Sequence, residues 1–571
     1  VKEKNWKVQK PDVVKVKELS QSLQVSPVIA HLLITRGFTD EVSAQKFLKP
    51  SKEQINNPSL LLGMDDAIKR ILRAIENDEK ILVYGDYDVD GTTGTVVMRK
   101  ALKFLGAKTG YHVPHRFTEG YGIQQPALEK AKAENFKLVI SVDCGIRAFE
   151  PLHWAKDNGL DVIVTDHHLP DEYEGTPPAY CVLNPNQEGC KYPDKNLAGV
   201  GVAYKLAHAL LREKDKEHLV DGFLKMVAIG TVADVAGLTG ENRSIVALGL
   251  NDLPKATNLG LRALMEIAGF SEESKMTAYD LGFRIGPRIN AAGRMDAARA
   301  VVELFETHNE QEAKRLAKHL DDKNRERQFV QKEIVQLAIQ EWETSGKKNQ
   351  THAAVIAGDD WHRGVIGIAA AKIAEKLYRP CIVISFEGDD GHGSGRSIEC
   401  YHLLDGLTAC ADLFEKFGGH SHAAGLAIER KNLEEFKRRL NEHAASKLSD
   451  EDLIPIVKVD AELKPETLSL GLVEELKALE PFGAGNPKPV FMTRNFRLAF
   501  EPRVLKERHL KLTVVGADNK KHDAIWWDGV EKSEGQPLNQ GASIELAYSL
   551  EANTWNGNTR LQLVVADLKS I

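Results

Sequence analysis

Asp86, Asp88 and Asp90 stand at alternate positions in the stretch Ile81 to Gly94, ILVYGDYDVDGTTG. The apolar and aromatic run Ile81 to Tyr84 predicts a buried parallel strand ended by Gly85. Thr92 and Thr93 are placed to cap a helix running to Leu105. In an open parallel sheet, ligands sit beyond the carboxyl ends of the strands, where these three acids fall. Carboxylates crowded on one short loop repel each other, and a divalent cation would offset that repulsion. A solvated acidic turn is the alternative for this stretch taken alone.

Two more apolar runs end in the same chemistry. LVISVD (Leu138 to Asp143) closes on Asp143, and DVIVTDHH (Asp161 to His168) closes on Asp166, His167 and His168. Asp234 is an isolated acid in AIGTVADVAG, either a solvated helix end or, beside a cationic site, a bridging or terminal ligand. A single neutral imidazole among carboxylates favours Mn²⁺ or Mg²⁺ over a thiolate-preferring metal. Cys144 is the one nearby thiol, and no second cysteine is spaced to complete a zinc site.

The elements that must position these groups follow from the order of the chain. With 571 residues, the chain is too long for one core, and three or four domains are expected. Residues 1–60 hold helical patterns (Pro27 to Thr35, and one ending near Leu48) and read as an appendage covering part of the first domain. An amphipathic helix at Asp65 to Ile75 feeds alternating strands and helices, the mark of a βαβ sheet. Within that region lie Arg116 in VPHRFTEGYG, helices at Gly199 to Leu211 and Phe223 to Val235, and the turn GPRINAAGR. This glycine- and alanine-rich turn carries Arg288, Asn290 and Arg294, where small residues let a backbone approach a ligand and arginines suit phosphate. From Asn309 to Glu343 there is neither glycine nor proline. Apolar residues at helical spacing flank the polar DDKNRERQ, as expected of a helix, or two abutting ones, solvated midway while bridging two bodies.

A second α/β unit is expected over about Thr351 to Lys447. Its loops DDWHRGVIG (His362, Arg363), GDDGHGSGRS (Ser394, Arg396) and GGHSHAAG (His420) mix glycines with cations and hydroxyls, suited to an oxyanion. A helix is predicted from His402 to Phe417. No Gly-Lys-Ser/Thr step follows a glycine loop, which disfavours a P-loop ATPase. Short alternating segments after Pro455 predict a small β-barrel of the oligonucleotide-binding (OB) type. Trp526, Trp527, Tyr548 and Trp555 are its candidate stacking faces, half or more of them expected in the core. Lys506, Arg508, His509 and Lys511 form a local basic cluster.

The formal charge of -7 argues against a cationic coat that grips nucleic acid indiscriminately, though not against a local basic groove. Six cysteines without a C-x-x-C step indicate neither a zinc ribbon nor a disulfide scaffold. VKEKNWKVQK has no apolar signal core, and no run approaches membrane-spanning length. The reducing cytoplasm is the expected compartment.

The ordered set GDYDVDG, SVDCGI, TDHH, GTVADV, GPRINAAGR, HRGVIGI, GSGRS and GGHSHAAG resembles the DHH/DHHA1 phosphoesterase family. The resemblance covers most of the chain. It implies an α/β protein with a parallel-sheet DHH domain (61–305) joined by a long helix (306–345) to a second α/β, DHHA1, domain (346–450). An OB-type barrel (451–571) follows, and a helical extension (1–60) precedes. The implied activity is that of a single-stranded-DNA-specific 5′→3′ exonuclease of DNA repair and recombination. The implied metal set is Asp86, Asp88, Asp143, His167 and Asp234, with His168 near the scissile phosphate and the part of Asp90 left open. Arg116, Arg288, Arg294, Ser394, Arg396 and His420 would hold the DNA or its 5′-phosphate. Two divalent ions about 3.5–4 Å apart suit phosphodiester hydrolysis, and Asp143 is the expected bridge. Single-stranded DNA is the implied partner, with a RecQ-type helicase and a single-strand-binding protein as cooperating candidates and a monomer as the expected state. The rival readings are a phosphodiesterase of short oligonucleotides or cyclic dinucleotides, and a non-catalytic single-strand-binding scaffold.

Overall fold

Five strands pair side by side into one parallel sheet: β1 (Lys80–Gly85), β2 (Lys108–His112), β3 (Phe136–Val142), β4 (Asp161–Thr165) and β5 (Cys181–Leu183). The computed structural model describes residues 4–295, 297–344, 351–534, 536–555 and 557–571. The chain divides into two compact units, one of residues 40–325 with 478–488, the other of 1–39, 326–477 and 489–571. The five-stranded sheet belongs to the first.

Its strand order is β2-β1-β3-β4-β5, all pairs parallel, with Ile81 opposite Leu138 and Ile163 opposite Cys181. The order reverses between β1 and β3, so their following connections depart to opposite faces. That leaves a crevice at the carboxyl ends of these two strands. The Asp86–Asp90 loop follows β1 and Asp143 follows β3. Helices α1 (Val89–Phe104), α2 (Gly199–Glu213) and α3 (Leu224–Ala233) bury their apolar sides in the same core.

Two expectations for this unit need correction. Asp88, not Thr92 or Thr93, caps α1, its Oδ1 accepting from Gly91 N at 2.9 Å. The two threonines lie inside the helix, their hydroxyls bonded back to Asp88 O and Val89 O. GPRINAAGR is no turn but helix α4 (Gly286–Arg294), entered from a π-helical stretch Leu281–Ile285. Proline in the first turn and two alanines favour a helix there. The glycine near its end answers a packing need: a Cβ on Gly293 would fall 2.3 Å from Tyr87 O.

The long helix is single and unbroken, α5 (Glu310–Thr344), and the boundary between the units falls within it, after Arg325. Position 345, the predicted end of the connecting helix, lies outside the described residues.

In the second unit, β6 (Ala354–Asp359), β7 (Cys381–Glu387), β8 (Asp390–Arg396), β9 (Phe414–Gly419) and β10 (Ala423–Glu429) form a sheet ordered β9-β10-β8-β7-β6. Only β6 and β7 are parallel. The predicted glycine loop GDDGHGSGRS is therefore mostly a strand. Gly391, Gly393 and Gly395 are buried, and His392, Ser394 and Arg396 alternate with them on the other face. A Cβ at any of the three glycines would strike Phe386, Leu426 or Ile382. The predicted helix His402 to Phe417 is also corrected. It is helical only over Leu403–Thr408, and Phe414 onward pairs with β10, Phe414 opposite Ile428.

Residues 1–39 join this second unit rather than the first, contrary to expectation. The strand Asn5–Val8 pairs in parallel with Ile456–Val459, Trp6 Nε1 donates to Asp567, and His31 Nε2 bonds Asp460 O. The C-terminal sheet closes on itself through Phe491–Leu498, Ser543–Trp555, Asn558–Ser570, Lys521–Trp526 and His509–Val515, the last pairing back with the first. Such a closed five-strand circuit is the OB architecture. Trp526 and Tyr548 are buried, Trp527 is half-exposed, and the Trp555 side chain lies outside the described residues. The basic cluster is partly neutralised, Arg508 and His509 meeting Asp528 and Lys511 meeting Asp523. Among the described residues no helix is long and apolar enough to cross a membrane.

Candidate metal centre and active site

At the crevice of the first unit, the predicted acids and imidazoles converge. Ligand-type atoms of Asp86, Asp88 and Asp143 lie within 4.8 Å of one another, as do those of Asp90, His167 and Asp234, and those of Asp143, His167 and His168. His167 Nε2 is 3.2 Å from Asp143 Oδ1, 3.8 Å from Asp90 Oδ2 and 3.9 Å from Asp234 Oδ2. Asp86, Asp90 and Asp143 are all buried.

Local backbone explains how so many acids are held together. Asp143 has a left-handed backbone, φ 62°, which turns the chain sharply as it leaves β3. Directly opposite, a Cβ on Gly199 would lie 2.5 Å from that of Asp143, so only glycine admits this approach. Gly199 opens α2, and the N–H groups of Gly199 and Val200 donate to Asp90 at 2.6 and 2.8 Å. The positive end of a helix thereby stabilises the most deeply buried carboxylate of the GDYDVDG loop. Asp166 is a second anchor, absent from the predicted site although it sits beside His167. It accepts from the N–H groups of Ile146, His167 and His168, and bonds His168 Nδ1 at 2.8 Å. Asn184 and Asn186 donate to the carbonyls of His168 and His167.

The electrostatics are those of a site lacking positive charge. Burial, then the charge of Asp88, pushes Asp86 well above the usual carboxylate range. Burial and the charges of Asp234 and Asp88 do the same to Asp90. Burial and the charges of Asp90, Asp88 and Asp86 do so to Asp143. Asp234 is pushed up to about 7 by burial and Asp88. His167 is held down to about 4 by burial and by His168, so it is the neutral imidazole a metal requires. His168 goes the other way: against burial, its hydrogen bond to Asp166 and that carboxylate's charge raise it. Three atoms in this group are buried and, among the described residues, have no hydrogen-bond partner, namely Asp86 Oδ1, Asp143 Oδ1 and His167 Nε2. Buried polar atoms are nearly always paired, so three such orphans facing one centre fit a cation.

Above the acids lies a cavity of about 300 Å³ whose lining includes Asp86, Asp88 and Asp234 with Arg116, Asn290 and Arg294. The α4 helix supplies the last two, and Asn290 Oδ1 also accepts from Val89 N, tying that helix to the start of α1. Arg116 lies over the Tyr87 ring at 5.0 Å. Its loop is braced by Glu119, which accepts from His115 N and bonds His112, and by Tyr84, whose hydroxyl donates to Gly122 O. Tyr121 of the same loop lines the cavity and lies 3.2 Å from His168 Nδ1. Sequence reasoning missed Tyr121 and Glu119, whose only signal was their place beside Arg116 in HRFTEGYG. Arg288 is not among the cavity-lining residues. It is engaged by Asp321 at 2.9 Å and by Arg284 O.

The other predicted substrate contacts belong to the second unit. Arg363 opens helix α6 (Arg363–Leu377), capped by His362, whose Nδ1 accepts from Gly364 N. Ser394 and Arg396 are neighbours on β8, Ser394 Oγ lying 3.4 Å from an Arg396 guanidinium nitrogen. A Cβ on Gly367 of α6 would come 2.9 Å from Ser394 Oγ, so helix and strand approach closely there. His420 lies in the β9–β10 turn, its N–H donating to Ala423 O.

Comparison with known proteins extends these observations along the whole chain. Residues 80–231 match the DHH family, N-terminal domain; residues 348–446 match the DHHA1 domain, and residues 459–567 the RecJ OB domain. The chain is 38% identical over 565 residues to the single-stranded-DNA-specific exonuclease RecJ of Bacillus subtilis, covering 98% of this chain and 70% of that protein. The chain belongs to the RecJ family. It is also 34% identical to the Escherichia coli RecJ of the same description, over 95% of this chain and 96% of that one. Among solved structures, RecJ from Thermus thermophilus in complex with Mn²⁺ superposes with a TM-score of 0.83 at 30% identity. The match covers 99% of this chain and 79% of that one. The RecJ structure of the same organism in complex with Mg²⁺ gives a TM-score of 0.79. The α/β architecture and the OB region expected from the sequence are thus those of a RecJ protein.

Proposed function

We propose that the chain is a metal-dependent exonuclease that hydrolyses single-stranded DNA from its 5′ end to mononucleotides, in DNA repair and recombination. The observation that carries this reading is the cluster of buried, unpartnered ligand atoms on Asp86, Asp143 and His167 beneath a cavity that also presents two arginines. Family membership and RecJ relatives solved with Mn²⁺ and with Mg²⁺ support it.

Asp86, Asp88 and Asp143 would hold one divalent ion, and Asp90, His167 and Asp234 the other, with Asp143 shared. This assigns Asp90 a direct part, since its carboxylate groups with His167 and Asp234 within 4.8 Å and lies 3.8 Å from His167 Nε2. Such a pair of Mn²⁺ or Mg²⁺ ions, when bound, supplies activation of water and neutralisation of phosphoryl charge. The chain's own residues do the rest. Arg116 and Arg294 set positive charge against the phosphate that enters the cavity. Asp166 fixes His168 through Nδ1, which leaves Nε2 to donate a proton to the leaving oxygen. Tyr121 closes the site beside His168. In the second unit, Ser394, Arg396 and His420, with His362 and Arg363, serve as contacts to the strand or its 5′-phosphate. The compartment is the cytoplasm, the working form is a monomer, and a RecQ-type helicase and a single-strand-binding protein are the cooperating partners of this reading.

Mononucleotide release from a long 5′-phosphorylated strand, set against hydrolysis of dinucleotides in Mn²⁺, tests it against the short-substrate alternative. The long strand is expected to be cut at least about tenfold more efficiently, because the OB barrel adds binding that a dinucleotide cannot use. Preference for the dinucleotide would reverse the assignment.

A further inference from the structure

The helical run that carries Asn290 and Arg294 begins with two large aromatics held in the open. Tyr279 is 65% exposed and Phe283 68% exposed, and their rings stack on each other, centroids 4.6 Å apart and 26° from parallel. Exposed apolar side chains scattered singly are ordinary on a protein surface, but a stacked pair of solvent-facing rings is not. The rings stand on one continuous stretch, Ala278–Asp280, the π-helical Leu281–Ile285 and α4. π-Helical turns within helices are frequently found at functional sites. This one is braced from behind: Arg284 bonds Asp280 and Ala268 O, and lies over the Phe270 ring.

The pair also sits at a definite place relative to the acidic cavity. Positions 282 and 286 face the end of α3, a Cβ on Gly282 lying 3.5 Å from Val232 and one on Gly286 3.3 Å from Ala233. Ala233 and Asp234 line the cavity, and so do Asn290 and Arg294 at the other end of the same helical run. Next to Asp234, Val235 holds a left-handed backbone, φ 63°, with its side chain 70% exposed. A β-branched residue in that conformation is strained, and strain of this kind gathers at functional sites. Two exposed aromatic side chains thus stand on the helical run whose other end, Asn290 and Arg294, lines the acidic cavity.

We propose that Tyr279 and Phe283 form a base-stacking platform for a nucleotide of the strand whose phosphate occupies the acidic cavity. The inference rests on the single-strand reading above and deepens it. Phosphates go to Arg116 and Arg294, and the base beside them finds a flat aromatic surface that accepts any base by its π face. Stacking on the outer ring completes a continuous stack already begun between the two side chains. The recognition is of a base in single-stranded form, because a paired base has both faces covered by its neighbours.

The test is binding of the full-length protein in Mn²⁺ to a fluorescent, 5′-phosphorylated single strand with phosphorothioate linkages that resist cutting, read by anisotropy. Phe283→Ala and Tyr279→Ala are each expected to weaken binding by roughly tenfold, and Phe283→Trp to retain it. A single abasic nucleotide, moved along the strand from its 5′ end, should weaken wild-type binding by a similar factor at one position. That position should become silent in Phe283→Ala. Alanine variants that bind like wild type would overturn the platform. So would a loss in Phe283→Ala that leaves the abasic sensitivity intact, since the ring would then act through folding rather than through a base. Digestion of an unmodified strand by the wild type is run alongside. Its failure would count against the nuclease reading, while the anisotropy decides the platform separately.

Discussion

Replacing Asp143 by asparagine is expected to lower mononucleotide release by at least about a thousandfold while making the metal-free protein more stable. The two effects share one cause. Asp143 is buried, its Oδ1 lacks a hydrogen-bond partner, and burial together with Asp90, Asp88 and Asp86 disfavours its charge. In the working enzyme two cations would answer that arrangement, and the loss of a shared ligand removes more than a single oxyanion donor, which by itself is worth about 10²–10³ in rate. Without metal the same carboxylate is a liability. An asparagine amide is nearly the same size, tolerates the left-handed backbone, and can donate toward His167 Nε2, 3.2 Å from the present Oδ1. Relief of about 1–2 kcal/mol is reasonable for a buried, unpaired acid. It should raise the thermal midpoint in chelator by about 2–4 °C. Single-turnover digestion and calorimetry check the two halves. Activity within about tenfold of wild type, or a lower midpoint, would remove Asp143 from the centre.

The second large effect is a pH dependence with opposite signs in the metal-free and metal-bound protein. Burial and Asp88 push Asp234 up to about 7. An unfolded aspartate titrates near 3.9. Between these values the folded state binds a proton that the unfolded state has released. The stability of the metal-free protein therefore falls as pH rises through this window. Mn²⁺ binding requires the deprotonated carboxylate, so affinity climbs across the same window, about tenfold per pH unit for each proton displaced. Asp234→Asn should lessen the first trend, leaving the share of Asp86, Asp90 and Asp143, and weaken Mn²⁺ binding throughout. Thermal scans in chelator across pH, with Mn²⁺ titrations in parallel, measure both. An affinity independent of pH below 7 would show that Asp234 is already ionised and that its raised value plays no part.

The chemistry of the site was the most legible part of the sequence. A buried parallel strand is a short apolar run, and an acid or imidazole at its end interrupts that run abruptly. Asp86, Asp143 and His167 therefore stood out without any knowledge of the fold. Asp234 was visible for the same reason, as a lone acid among small and apolar residues. Harder to read were segments in which glycine obscures the period. In DGHGSGR the two-residue alternation of a strand is present, yet its buried positions are glycines, whose low strand propensity and free backbone suggest a loop. GPRINAAGR misled in the same way, Gly293 serving close packing against Tyr87 and Gly286 against Ala233 within a helix.

Long-range pairing was hidden altogether. Nothing local in residues 1–39 says that Asn5–Val8 will pair with Ile456–Val459, more than four hundred positions away. The second layer of the site was hidden for a related reason. Glu119 and Tyr121 matter through what they touch, the Arg116 loop and His168, and those contacts exist only once the loops converge. Arg288 shows the converse. An arginine beside two cavity residues reads as a phosphate contact, but Asp321 of the long helix engages it.

The most direct test of the account is digestion of one single strand in Mn²⁺ with its 5′ end blocked, with its 3′ end blocked, and as a blunt duplex. Mononucleotides should appear from the 3′-blocked strand, fall to background with the 5′ block and in the duplex, and vanish in every case with chelator. Release that survives chelation, or that proceeds equally from the 5′-blocked strand, would contradict a metal-dependent centre acting from the 5′ end.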